Sequence, residues 1–180
     1  MSGTHIKGPL TVGGVEVISA AGAITADVQA TAGSIGSAEL ADNTIKTVSK
    51  TLTSAEIVGT SAGDIGATAG AELVAAPGAG KIIEFVSAIL SYDYDTAAYT
   101  GGGDDLVIRQ GTTAMTAPIA KADLLADTED DIAYVNALSA GDIKVTANSA
   151  LNLFAGTAYT QPGTAAGVLR VVCNYRIHSI

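Results

Sequence analysis

The C-terminal segment shows the clearest hydropathy pattern in the chain. Within residues 167–180, apolar and polar side chains alternate: Leu169, Val171, Cys173, Tyr175 and Ile177 alternate with Arg170, Val172, Asn174, Arg176 and His178. A period of two is typical of a β-strand with one face buried in a core. We therefore predict a strand here, with Cys173 pointing inward as a small core residue and His178 pointing outward.

A second, longer apolar run covers Lys81–Tyr94 and has apolar residues at both even and odd positions. Strict alternation places Ile82, Val86, Ala88, Leu90 and Tyr92 on one face, and Ile83, Phe85 and Ile89 on the other. A strand that is apolar on both sides is expected in the centre of a sheet or at an interface. We therefore predict that Ile83, Phe85 and Ile89 contact another copy of the chain.

Shorter apolar runs separated by Gly, Pro and Asp clusters complete the pattern. They predict further strands at Leu52–Val58, Glu72–Ala75, Asp105–Arg109, Ile143–Ala147 and Leu151–Ala155. Short strands at this spacing favour an all-β fold, an antiparallel β-sandwich of jelly-roll type. Only Ala120–Val135 is compatible with a helix, and its acidic residues fit a short helix or an ordered loop equally well.

The N-terminal third has a different composition from the rest. All eight aromatic residues follow position 84, and residues 1–50 contain only three basic and four acidic side chains. Aromatic side chains supply the largest buried areas, so this region is poorly equipped to form a core of its own. We predict an extended arm over residues 1–50 and a β-sandwich domain over residues 51–180.

Charge and composition exclude several classes of partner. The formal net charge is −9, which disfavours binding to nucleic acid because phosphate affinity depends on clustered Lys and Arg. The longest uncharged run, Val145–Leu169, is too polar for a membrane span, and the first residues show no signal-peptide pattern. Cys173 is the one cysteine, so no disulfide forms within the chain.

Sequence motifs for catalysis are incomplete. Residues 59–63 match the Gly-x-Ser-x-Gly nucleophile elbow around Ser61, but no helical pattern follows them. The turn at residues 77–81 lacks both the first glycine and the Ser or Thr of a phosphate-binding loop. We therefore predict a protein that is not an enzyme and carries no cofactor.

Two groups of acidic residues are the candidates for a bound cation. The first group is Asp93, Asp95, Asp104 and Asp105, and the second is Asp123, Asp127, Glu129, Asp130 and Asp131. Calcium requires six to eight oxygen ligands, which either group supplies only in part, and neither has the helix–loop–helix spacing. A solvated acidic surface with no metal is the default prediction, and a bound cation is the alternative.

Two further stretches resemble known phage proteins. Residues 33–48, with the sequence GSIGSAELADNTIKTV, are similar to the short phrases in trimeric fibre stalks of tailed bacteriophages. Residues 72–84, together with Tyr99–Gly103 and Asp105–Arg109, resemble the C-terminal β-sandwich domains of phage capsid decoration and head-fibre proteins. The resemblance covers approximately residues 30–60 and 70–110.

This resemblance implies a structural virion protein, a homotrimer bound to the major capsid protein on the outer capsid surface. Synthesis in the host cytoplasm agrees with the absence of disulfides. A tail-fibre or receptor-binding module is the first alternative. A carbohydrate-binding sandwich is the second, and the scarcity of aromatic platforms weighs against it.

Overall fold

The chain divides into two compact units, Met1–Leu40 and Ala41–Ile180. The structure, a computed structural model, describes residues 10–12, 15–18, 42–101, 105–138, 143–160 and 167–180, with backbone only for the first two ranges. In the first unit, β1 (Leu10–Val12) and β2 (Val15–Ile18) form an antiparallel hairpin. The rest of the predicted arm, as far as residue 41, lies outside the described residues.

The predicted boundary between arm and domain at residue 50 is wrong. Residues 46–52 form the strand β3, which pairs along its whole length with the C-terminal strand. The boundary at residue 50 would cut this strand, whereas the second compact unit begins at Ala41. The sandwich domain is thus about ten residues longer at its N-terminal end than predicted.

The second unit is all-β, as predicted. Its strands are β3 (Lys46–Leu52), β4 (Ala71–Val74), β5 (Lys81–Asp93), β6 (Thr100–Gly101), β7 (Val107–Gln110), β8 (Thr113–Ala114), β9 (Asp131–Asn136), β10 (Leu151–Phe154), β11 (Tyr159–Thr160) and β12 (Val168–Ser179). One short α-helix, α1 (Ser54–Val58), and one 3₁₀ turn, Lys121–Asp123, interrupt the strands of the described part.

The described strands pair into two four-stranded antiparallel sheets. The first sheet has the order β3-β12-β5-β9 and the second has the order β4-β10-β7-β8, while β6 and β11 pair separately. When the eight sheet strands are numbered along the chain, the two orders read 1-8-3-6 and 2-7-4-5. In both sheets a late strand lies between two early ones, which is the arrangement of a jelly roll.

One continuous core lies between the two sheets. Buried apolar side chains from both sheets belong to a single cluster, which includes Leu52, Leu90, Val171 and Cys173 from the first sheet and Leu73, Ile108, Leu151 and Leu153 from the second. Cys173 is fully buried, which confirms the inward orientation predicted from the alternation in β12. The two inner faces therefore share one apolar interior, as in a β-sandwich.

A β-bulge in the middle of β5 reverses its alternation. Tyr175 pairs with Phe85 and Asn174 pairs with Ser87, which leaves Val86 without a partner. An extra, unpaired residue moves every side chain that follows it in the strand to the face opposite the one that strict alternation predicts. Ile83 and Phe85 therefore point into the core before the bulge, and Ala88, Leu90 and Tyr92 do so after it, in each case at no more than 2% exposure.

Some local predictions need correction. Leu52–Val58 is not a strand, because β3 ends at Leu52 and Thr53 caps α1. The Thr53 hydroxyl accepts from the amide of Glu56, and the Glu56 carboxylate accepts from the amide of Thr53. The region Ala120–Val135 contains the 3₁₀ turn, and its last residues belong to β9 rather than to a helix or a loop. The described residues 143–147 form no strand.

Candidate functional site

The side of the first sheet that points away from the core, here called the outer face, carries three of the six exposed large apolar side chains of the described sandwich. Register places Val172, Ile89 and Tyr134 next to one another in a single row across three strands. Ile132 lies two residues before Tyr134 on the edge strand β9 and points the same way. Ile89, Ile132 and Tyr134 are 39%, 52% and 77% exposed. These side chains form an apolar patch on a flat sheet surface, which is typical of an interface.

The rows on either side of this patch consist mainly of small polar residues. The twelve positions of the three rows are Thr51, Arg170, Ser91 and Ile132; Ser49, Val172, Ile89 and Tyr134; and Thr47, Asn174, Ser87 and Asn136. Only one of these twelve side chains, Arg170, is charged, in a chain whose formal charge is −9. The outer face is therefore close to neutral, so another protein surface can approach it with little charge to desolvate.

Hydrogen bonds fix the polar side chains of the outer face in place. The Thr47 hydroxyl donates to Oδ1 of Asn174 at 2.8 Å, and Nδ2 of Asn174 donates to the Ser87 hydroxyl at 3.1 Å. Nε of Arg170 donates to the Ser49 hydroxyl at 3.2 Å. These bonds cross from β3 through β12 to β5, so the surface is ordered before any partner binds.

An ion-pair cluster lies on the same side of the sheet, between the start of β5 and the bulge. Nη1 of Arg176 lies 3.3 Å from both carboxylate oxygens of Glu84, and Nε2 of His178 lies 2.7 Å from Oε2 of the same group. Partial burial alone would raise the pKa of Glu84, but the hydrogen bonds from His178 and Arg176 outweigh it, and the pKa lies below its ordinary value of 4.5. His178 thus points outward, as predicted, and has a structural partner.

The first residues of the sandwich are tied to its last strand. The amide of Asn43 donates to the carbonyl of Ile177 at 2.9 Å, and the Ser179 hydroxyl donates to Asp42 at 2.7 Å. Nζ of Lys81 lies 3.3 Å from the same carboxylate. We call this end of the sandwich, where β3 and β5 begin and β12 ends, the base. The chain therefore enters the domain at the base.

Eight of the thirteen described acidic residues of the sandwich lie toward the opposite end, here called the apex, where β5 ends and β9 and β12 begin. Those described there are Asp93, Asp95, Asp105, Asp123, Asp127, Glu129, Asp130 and Asp131. Two of them organise loops: Asp130 accepts from the amide of Tyr94 at 2.9 Å, and Asp105 accepts from that of Lys121 at 3.2 Å. Asp104 lies outside the described residues. Among the residues described, no three His, Cys, Asp or Glu side chains are placed to hold a metal ion.

The predicted interface residues separate into two groups. Ile83 and Phe85 are core residues of the chain itself, so their assignment to an interface is wrong, and the cause is the bulge at Val86. Ile89 does lie on the outer face. Sequence reasoning missed Tyr134 and Ile132, because the acidic residues before them made β9 look like part of a loop or helix.

Ser61 and Cys173, whose side chains can act as nucleophiles, each have a structural role in the fold. The helix α1 precedes Ser61 and irregular turns follow it, the reverse of a strand–nucleophile–helix elbow. The Ser61 amide donates to the Asp64 carboxylate at 2.8 Å and thereby closes a local turn. Burial raises the pKa of the Cys173 thiol to about 12, so this group is an inert core side chain at neutral pH.

Comparisons with known proteins add no relative: no family model, no curated protein and no solved structure matches this chain. No helix in the described part is long and apolar enough to cross a membrane. A functional argument therefore depends on the geometry of the outer face, base and apex, together with the resemblance noted in the sequence.

Proposed function

We propose that this protein is a structural, non-enzymatic component of a tailed-bacteriophage particle. In this proposal it decorates the outer surface of the capsid as a homotrimer bound to the major capsid protein. The Met1–Leu40 unit attaches to the shell, and the jelly roll projects outward. The jelly roll is compatible with this role because viral capsid and lectin domains both use it, but the fold alone does not decide the function.

The observation that carries the proposal is the polarity of the sandwich. The chain enters at the base, where Asp42 and Asn43 are fastened to the end of β12, whereas eight described acidic residues surround the apex. A domain anchored through its N-terminal side would direct these carboxylates away from the shell. Carboxylates on neighbouring particles repel one another, which favours solubility. DNA would repel them as well, so the interior of a DNA-filled shell is an unfavourable location for this domain.

The outer face is the surface that we assign to contact between copies. Four strands about 4.8 Å apart and three rows about 7 Å apart span roughly 400 Å². A standard stable interface buries about 800 Å² per partner, so this face supplies about half of that area. We therefore expect trimerisation to depend also on the N-terminal unit or on the shell, and to depend on concentration in solution.

Electron microscopy of phage particles with gold-labelled antibody against the sandwich domain tests the proposal. Decoration predicts many labels over the head. Label confined to the tail would instead support the first alternative, a tail-fibre or receptor-binding module, and would contradict decoration.

Rebinding to heads that lack the protein tests the anchor. Full-length protein should cosediment with such heads, whereas a chain that begins at Ala41 should fold, as checked by circular dichroism, and remain in the supernatant. Equal binding of both chains would show that the sandwich itself holds the shell. The cut at residue 41 matters because removal of residues 1–50 would also delete most of β3.

A further inference from the structure

The second sheet carries a pocket on the side that faces away from the core. Its volume is about 620 Å³, and its lining includes Thr68, Arg109, Thr112, Asn152 and Phe154. We call it the second-sheet pocket. It lies on a different sheet from the outer face described above, so both surfaces are available at once.

Asn152 is the polar group at the centre of this pocket. It lies on β10 between Leu151 and Leu153, which both point into the core, so its side chain points to the opposite side of the sheet. Only 9% of Asn152 is exposed, and its carboxamide forms no hydrogen bond with any described residue. Its Oδ1 and Nδ2 are not among the buried side-chain atoms that lack a partner, so they reach solvent and are accessible to a ligand in the pocket.

Arg109 lies directly opposite Asn152 on the neighbouring strand β7. Its guanidinium carbon stacks 3.3 Å above the centre of the Phe154 ring, and one terminal nitrogen donates to the carbonyl of Thr68. Its Nε is buried without an acceptor among the described residues. The guanidinium is therefore held rigidly beside the free carboxamide, which lowers the entropic cost of binding a ligand.

The charge around the pocket favours a neutral ligand. Asn152 pairs on its other side with Glu72 of β4, an exposed residue, so an acid and a base stand on either side of the amide in one row. The chain as a whole carries a formal charge of −9, which opposes the approach of an anion.

Three glycines contribute to the rim of the pocket. Gly66, Gly111 and Gly156 line it, and the last two have positive φ angles of 58° and 73°, which favour glycine. Their backbone amides can therefore report on a ligand in the pocket.

We propose that the second-sheet pocket binds a neutral saccharide through Arg109 and Asn152. A sugar presents adjacent hydroxyl groups, each both donor and acceptor. A guanidinium offers several donors in a plane, and a carboxamide offers two donors and one acceptor oxygen. Together they match a pair of neighbouring hydroxyls through hydrogen bonds alone, without an aromatic stacking platform and without a net charge on the ligand. This inference does not rest on the decoration role, and the two are tested by separate experiments.

The test is a titration of ¹⁵N-labelled full-length protein with the methyl glycosides of glucose, galactose, mannose and N-acetylglucosamine at millimolar concentration. The proposal predicts saturable shifts of the Gly66, Gly111 and Gly156 amides with at least one glycoside. No shift with any of the four, or shifts confined to residues around Tyr134, would overturn it. Shifts of these glycine amides with sodium sulfate but with no glycoside would also overturn it, because the site would then bind anions.

Variants test which side chains bind the sugar. Asn152→Leu should weaken the affinity at least tenfold, because leucine has a similar size but no polar group to bind the ligand. Arg109→Lys, which keeps the charge but loses the planar fork, should also weaken it. Tyr134→Ala on the outer face is the control and should leave the affinity unchanged. If only the control variant lost binding, the assignment would be overturned. If a variant unfolds, the shifts of the wild-type glycine amides decide whether the pocket binds a glycoside.

Discussion

Phe85 and Ile89 lie four residues apart on β5, so uninterrupted alternation would place them on one face. The bulge at Val86 places them on opposite faces instead: Phe85 is 2% exposed in the core, and Ile89 is 39% exposed on the outer face. Substitutions at these two positions should therefore have opposite effects, one on stability and the other on assembly.

Phe85→Ala should destabilise the domain by about 3–5 kcal/mol, the usual cost of emptying a phenylalanine site in a core. For a unit of the size of Ala41–Ile180, each kcal/mol lowers the melting temperature by about 3–4 °C, so we expect a decrease of about 10–20 °C. Ile89→Ser removes a partly exposed side chain and should cost less than ~1 kcal/mol. Combined with Tyr134→Ser, it should disperse the oligomer.

Differential scanning calorimetry and light scattering of full-length protein measure the two effects separately. Leu138→Ser is the matched control, because Leu138 has the same 39% exposure as Ile89 but follows β9 and does not belong to the three rows of the outer face. If Phe85→Ala melted within about 2 °C of wild type and produced monomers, the bulge would be wrong. A wild-type protein that stays monomeric at all concentrations and on particles would remove the assembly role of the outer face.

Three further predictions concern single sites. The Cys173 thiol, whose pKa burial raises to about 12, should react with Ellman's reagent at pH 8 only after denaturation, and rapid labelling of native protein would contradict its burial. Glu84 has a lowered pKa in the folded state, so the stabilisation by its ionised form is present above pH 4.5 and is lost as the pH falls through the folded pKa. Urea titrations from pH 6 to 3 should therefore show a smaller loss of unfolding free energy in Glu84→Gln than in wild type. The difference should be less than ~1 kcal/mol, because solvent screens the pair. Gly167→Ala should strongly reduce the melting temperature, since its Cβ would overlap the carbonyl oxygen of Asp93, and an unchanged melting temperature would show that this contact relaxes.

The strands with unbroken patterns could be predicted from sequence, and those with local irregularities could not. Alternation identified β12 and the orientation of Cys173 correctly. It found the extent of β5 but not its faces. A signal was present, because the polar residues Glu84 and Ser87 are three positions apart, a spacing that a regular strand cannot place on one side. The capping pair Thr53 and Glu56 was likewise a readable helix start within an apparent strand.

The candidate sites could not be predicted, because they depend on pairing between distant segments. The row of Val172, Ile89 and Tyr134 exists only once β12, β5 and β9 are in register, and the sequence holds no local record of that order. The same is true of Arg109 and Asn152, which are 43 positions apart in the chain. The jelly-roll type of sandwich was expected from the spacing of the short strands, but the register that creates each surface was not.

The bulge also affects how the chain can change in length. If Val86 were deleted, Phe85 would be followed by an outward Ser87 and an inward Ala88, and β5 would become a regular strand with the same residues facing the core. Deletion of a residue away from the bulge, such as Leu90, would turn part of the strand inside out. The bulge is therefore the place within β5 where related chains can differ by one residue and still keep the same two faces.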